Sequence, residues 1–217
     1  MKKALTIVAA VLATSTVASA QAQSPSLTPW YGGASIGSSR SNVSSGDVNN
    51  FLRSLGYGSP STSVDDKDSA YKFLLGYRFS PVVAIEGFYA DLGSYNTRTS
   101  VTTPFVGNVN ADYKAKGYGV DVVLSAPISP VFSVYGRLGV MQAKTEATFS
   151  SSGSVGLLFD RGSKNKTGQH YGVGLQYDLN PALALRGEVE TYRKLGDDST
   201  GGELKVDVLS LGAIFRF

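Results

Sequence analysis

Tyr71-Lys72-Phe73-Leu74-Leu75-Gly76-Tyr77-Arg78-Phe79 sets a large apolar or aromatic side chain on every second position. In an extended strand Tyr71, Phe73, Leu75, Tyr77 and Phe79 share one face, and Lys72, Leu74, Gly76 and Arg78 share the other. Two later stretches repeat the pattern. Tyr171, Val173, Leu175, Tyr177 and Leu179 alternate with His170, Gly172, Gly174, Gln176 and Asp178, and Leu209, Leu211, Ala213, Phe215 and Phe217 alternate with Ser210, Gly212, Ile214 and Arg216. A soluble sandwich also alternates, with its apolar face buried and the other wet. The runs here reach the 9–11 residues of a tilted transmembrane strand, and their polar faces carry charges in segment after segment.

Outward from these stretches the pattern predicts an all-β chain of eight antiparallel strands, at 29–39, 68–80, 82–94, 110–126, 131–147, 167–180, 182–195 and 203–217. Ser80-Pro81, Pro127-Ile128-Ser129-Pro130 and Asn180-Pro181 read as tight turns, each closed by proline. Ser41 to Lys67, Tyr95 to Val109, Thr148 to Lys166 and the short Gly196 to Gly202 read as polar loops. Short turns at one end and longer loops at the other are the habit of up-and-down outer-membrane barrels, with the turns periplasmic and the loops external. Within the first loop Asp47 to Leu55 has a weakly helical spacing, with Val48, Phe51, Leu52 and Leu55 on one stripe.

The amino terminus gives the route. Lys2 and Lys3 precede the apolar Ala4 to Ala13, and Ala18-Ser19-Ala20 supplies small residues for cleavage. The stretch falls short of the ~20 apolar residues of a spanning helix. The expected division is a signal peptide over 1–20 and a barrel domain over 21–217, with cleavage after Ala22 the alternative. Without Lys2 and Lys3, 18 basic residues face 17 acidic ones, so the formal charge of +3 partly belongs to the leader. No clustered basic stripe suggests nucleic acid. Cysteine is absent, which excludes disulfides and cysteine-based metal or nucleophilic sites. Lipid offers backbone amides no partners, so strands cross a membrane only as a closed barrel.

Alternation places Lys72, Glu86, Asp121, Arg137, Gln176, Arg186, Glu188 and Glu190 on the inward face. An eight-stranded barrel is just wide enough for side chains to fill. Three cations and four anions there are expected to pair, because an unpaired buried ion costs several kcal/mol. The outward face carries Trp30, Tyr77, Phe79, Phe132 and Tyr177 toward the turns, with Tyr71, Tyr89 and Tyr118 toward the loops, as interface girdles require. Phe215 and the terminal Phe217 fit a carboxy-terminal assembly signal read by the barrel assembly machinery.

Trp30-Tyr31-Gly32-Gly33-Ala34, Gly76-Tyr77-Arg78-Phe79-Ser80-Pro81, Ile85-Glu86-Gly87, Lys114-Ala115-Lys116-Gly117, Tyr135-Gly136-Arg137-Leu138-Gly139 and Leu209-Ser210-Leu211-Gly212 come in the order seen in one family. In these segments the chain resembles the transmembrane domain of the outer membrane protein A family. The resemblance implies an eight-stranded barrel in the outer membrane that acts as a surface anchor, adhesin or narrow pore. The sequence stops at Phe217, so the peptidoglycan-binding domain of full-length relatives is expected to be missing, and wall tethering with it. The gate of the family maps its acid and base onto Glu86 and Arg186, while its other lysine and glutamate fall on Val123 and Gln176. Asp121 and Glu188 are the substitutes at hand.

Chemistry beyond this is sparse. His170 is the only histidine and is expected as a solvated residue near the rim. A barrel lipid A deacylase pairs its histidine with a serine two positions on, where this chain has Gly172. Asp65-Asp66-Lys67-Asp68 lacks the glycine and closing glutamate of a calcium loop and reads as a loop base with at most loose cation binding. Asn42-Val43-Ser44 and Asn165-Lys166-Thr167 match glycosylation sequons of little weight in a bacterium. No cofactor or metal is expected. The expected function is an anchor presenting loops as adhesin or surface antigen, the alternative a low-conductance pore, and third a lipid-modifying enzyme. Expected partners are outer-membrane lipid, lipopolysaccharide, and host or phage ligands at the loops.

Overall fold

The computed structural model describes residues 29–42, 45–54, 56, 60–102, 106–153, 161–195 and 205–217. The expected leader and the Gly196 to Gly202 connection lie outside these. The elements are β1 (Trp30–Ser41), α1 (Ser45–Ser54), β2 (Ser61–Asp65), β3 (Lys67–Arg78), β4 (Val83–Val101), β5 (Gly107–Pro127), β6 (Phe132–Gly153), β7 (Arg161–Asp178), β8 (Leu183–Arg193) and β9 (Val206–Arg216). From β3 onward each strand pairs antiparallel with the next, and β1 pairs with both β3 and β9. β2 carries on the line of β3 along the far end of β4. The sheet therefore closes into an eight-stranded antiparallel up-and-down barrel.

Its burial is the reverse of a soluble protein's. Leu211 is 71% exposed, whereas Glu86, Asp121 and His170 are 0% exposed. A closed ladder leaves no backbone edge to lipid, so the outward positions of each strand can be apolar and the polar ones must fill the inside. At one end the turns are tight. Phe79 and Ser80 donate to the Val83 carbonyl, Ile128 and Ser129 to Phe132, and Leu179 and Asn180 to Leu183.

At the other end the strands run further than their hydrophobic pattern. Residues 95–101 and 107–109, expected in one loop, are paired strand, as are 148–153 and 161–166 of another. At about 3.3 Å per residue, the 21 residues of β5 reach roughly 70 Å, far more than a tilted strand needs for an apolar band about 25 Å tall. The overhang is faint in the sequence because its outward face meets water while its buried inward face also carries hydroxyls, Thr97 and Thr99 among them. Ser, Thr and Asn then alternate with nothing contrasting, although the ladder hydrogen bonds still form. A β-bulge between Asp91 and Ser94 also shifts the parity of β4. Gly93 takes φ +89° there, and Asp91 and Asp68 accept the amides of Gly93 and Ser94. Tyr95 is thereby turned inward and is 1% exposed.

The first loop holds α1, tied to β2 through the Thr62 hydroxyl, which donates to Asn49 Oδ1 at 2.7 Å. The apolar stripe expected on this helix falls on side chains outside those described.

Candidate functional site

Each strand contributes inward residues to a stack of layers down the lumen. Inward glycines leave room for large neighbours: a Cβ on Gly76 would lie 2.2 Å from the Tyr31 ring, and one on Gly174 would lie 2.4 Å from Tyr135. The two tyrosines lean across the barrel in those gaps. Tyr31 donates to Glu86 Oε1 at 2.8 Å, and Tyr135 donates to Glu188.

Arg137, on β6, is the hub. Its Nη2 donates to Glu86 at 2.9 Å and to Glu188 at 2.6 Å, and its Nη1 lies 3.3 Å from Asp121 and 3.4 Å from Glu190. Arg186 donates to Glu86 Oε1 at 2.6 Å and to Gln176 Oε1 at 3.0 Å, and its guanidinium sits 4.9 Å from the Tyr135 ring centre. Lys72 bridges Glu188 and Glu190. All eight residues singled out for the inward face, Lys72, Glu86, Asp121, Arg137, Gln176, Arg186, Glu188 and Glu190, are buried and lie in this one network. Val123, at a family gate position, is buried without a charge.

His170 corrects the expectation of a solvated rim residue. It is fully buried, with Nδ1 2.8 Å from Asp121 and Nε2 3.1 Å from Glu190. Its ring stacks on Tyr192 at 4.2 Å and meets Phe88 at 4.9 Å. Because β7 begins at Arg161, position 170 lies inside the barrel and not at its rim. Its even-numbered parity with Gly172 and Gln176 was the signal. Two carboxylates, one on each ring nitrogen, suit the imidazolium, in which both nitrogens donate. Lys72, Arg137, Arg186 and His170 then balance Glu86, Asp121, Glu188 and Glu190.

Beyond His170 toward the long-strand end, the lumen turns apolar. Leu92, Tyr95, Met141, Leu195 and Val206 are each at most 1% exposed. The Thr145 hydroxyl donates to the Leu195 carbonyl at 2.7 Å and holds that layer across the mouth. At the turn end Arg216 bonds Asp178, and Arg78 lies 5.5 Å from the Tyr31 ring centre.

The outward aromatics ring the turn end. Trp30, Phe79, Tyr177, Phe215 and Phe217 are exposed, and Tyr77 and Phe132 are half-buried. Trp30 meets Tyr77 edge-on at 5.0 Å, and Tyr77 meets Phe79 at 4.9 Å. The acidic run is not a free cation site. Asp66 accepts Arg40 at 2.7 Å, which holds its carboxyl below the usual range, and Asp68 accepts the amides of Ser69 and Ser94.

A model of the outer membrane protein beta-barrel domain matches residues 7–217. The chain belongs to that family. Outer membrane protein A of Serratia marcescens is 30% identical over 222 residues, covering all of this chain and 56% of the relative. The protein of the same name from Shigella flexneri is 29% identical over 225 residues with the same coverage. The chain thus spans about half the length of these curated relatives. Among solved structures, Neisserial surface protein A superposes with TM-score 0.51 at 11% identity, over 89% of this chain and 100% of that one. Ail, the attachment invasion locus protein of Yersinia pestis, solved with the heparin analogue sucrose octasulfate, gives 0.46 at 20% identity, over 87% and 99%. Fold and family together place the chain in the outer membrane, with its apolar wall in lipid.

Proposed function

We propose that this barrel is a surface anchor that presents its long-strand end to the exterior as a recognition platform. The observation that carries this is the combination of a closed lumen with an overhanging sheet. Ions crossing the lumen would have to break the Arg137 network and then wet the layer of Leu92, Met141, Leu195 and Val206. Apolar constrictions of this kind gate by excluding water. The narrow-pore reading therefore draws no support from the interior, and the pairing of Arg186 with Glu86 is a structural lock. An enzymatic role draws none either: His170 touches two carboxylates and two aromatic rings, has no serine or other nucleophile bonded to it among the described residues, and is fully buried.

The recognition surface consists of the overhanging ends of β4 to β7, the α1–β2 segment and the connections between them. A rigid scaffold with variable tips suits binding of host or phage ligands. In this reading the chain is exported with cleavage after Ala20, and Phe215 and Phe217 guide its insertion by the assembly machinery. The test is cell binding. Bacteria displaying the full chain should adhere to host-cell monolayers. Cells displaying a variant trimmed of 98–110 and 148–163 should not, although its heat-dependent gel shift persists. Equal adhesion by both would refute the platform, and steady conductance of the purified full chain in planar bilayers would restore the pore.

A further inference from the structure

The barrel closes where its first and last strands meet, and no turn or loop connects that pair. Along this seam the inward positions set serine against glycine. Ser35 on β1 faces Gly212 on β9, and Gly37 on β1 faces Ser210 on β9. Each glycine leaves space for the serine opposite. A Cβ on Gly212 would lie 2.7 Å from the Ser35 Cβ, and one on Gly37 would lie 2.7 Å from the Ser210 Cβ. The two hydroxyls thus enter the lumen diagonally across the seam.

The protein itself satisfies neither of them. Ser35 Oγ and Ser210 Oγ are both shut off from solvent, and neither has a hydrogen-bond partner among the described residues. A buried hydroxyl is costly to leave unpaired, and folded proteins supply it with a protein group or an ordered water. Both serines line one small cavity of about 10 Å³, together with Lys72, Glu190, Tyr192 and Leu92. That is room for a single water and for nothing larger. Lys72 gives two of its N–H groups to Glu188 and Glu190, which leaves a third to offer. The charges call for a neutral occupant. Lys72 is bracketed by two carboxylates, so an anion would face both of them and a cation would face the ammonium.

We propose that Ser35, Ser210 and Lys72 hold one internal water that ties the β1–β9 seam to the charge network of the lumen. The water accepts from Lys72 and from one hydroxyl and donates to the other. β3, β1 and β9 are then linked by hydrogen bonds inside the barrel as well as by the backbone ladder in its wall. The link strengthens the one strand pair that is made only from the two ends of the barrel chain. It is independent of the recognition platform.

A high-resolution crystal structure of the full folded chain tests it. One ordered solvent atom should lie about 2.7–3.2 Å from Ser35 Oγ, Ser210 Oγ and Lys72 Nζ. In S35A/S210A that atom should be gone while the seam keeps its register, and the heat-dependent gel shift shows that the variant folds. Unfolding in urea gives a second readout, in which the two cases differ in sign. With the water held, S35A/S210A removes two hydrogen bonds, and the midpoint should fall by roughly 0.5–1 M. With a dry cavity the same change deletes two unsatisfied groups, and the midpoint would hold or rise. S38A, at an exposed position of the same strand, should leave the midpoint where it is. No solvent atom at the site, an ion in its place, or an atom retained in S35A/S210A overturns the proposal. So does a midpoint of S35A/S210A that holds or rises.

Discussion

Replacing Arg137 by methionine removes the hub of the lumen while keeping an unbranched apolar chain of similar reach. Arg137 lies within 3.4 Å of four carboxylates, at 2.6 Å from Glu188, 2.9 Å from Glu86, 3.3 Å from Asp121 and 3.4 Å from Glu190. Without it, Lys72, Arg186 and His170 face those four carboxylates, and one buried negative charge lacks a counterpart. Breaking a buried ion pair by removing one partner costs about 3–5 kcal/mol. With a urea slope of about 2 kcal/mol per molar, the unfolding midpoint should fall by roughly 2 M. Trp30 is the only tryptophan and stands on the lipid face, so its fluorescence reports unfolding from lipid vesicles directly. The variant R137M/E188Q removes one charge of each sign and should recover at least half of the loss. A midpoint unchanged in R137M, or a double variant weaker than the single, would refute the closed, balanced network.

Further outcomes follow from the same geometry. At neutral pH the single histidine should show both ring nitrogens protonated in nitrogen NMR, and a neutral tautomer would mean that the lumen holds unequal charge. H170F keeps the stack on Tyr192 but takes one cation from Asp121 and Glu190, leaving them Arg137 and Lys72 alone. It should lose about 2–4 kcal/mol in the same urea assay, and a neutral result would make the two contacts incidental. G174V drives a side chain into Tyr135, where even a Cβ would come within 2.4 Å. It should abolish the heat-dependent gel shift, whereas G187V, whose Cβ meets only Leu211 at 3.4 Å, should retain it.

The legible part of this fold was the parity of each strand, because lipid on one side and packed charge on the other force opposite chemistries onto successive residues. Lys72, Glu86 and Arg137 could be placed inside on that ground alone. Their partners could not. Lys72 meets Glu190 across 118 residues of chain, and which inward residues share a layer depends on the stagger between strands, to which a period of two is blind. The overhang was illegible for the opposite reason. Along residues 96–101 the outward face meets water and the inward face buries Thr97 and Thr99, so polar side chains stand on both sides and the pairing leaves little hydrophobic imprint. His170 reads as a rim residue for the same cause: a strand starting at 167 puts position 170 near its end, whereas β7 starts at Arg161.

The most direct measurement uses the absence of cysteine in the native chain. Single cysteines at Val122, Val123 and Leu124 on β5, in barrels folded into vesicles, are exposed to a membrane-soluble maleimide. The account predicts rapid labelling at 122 and 124, which face lipid, and labelling at 123 only after boiling. Equal labelling at all three, or labelling at 123 alone, would contradict a closed barrel with a sealed interior.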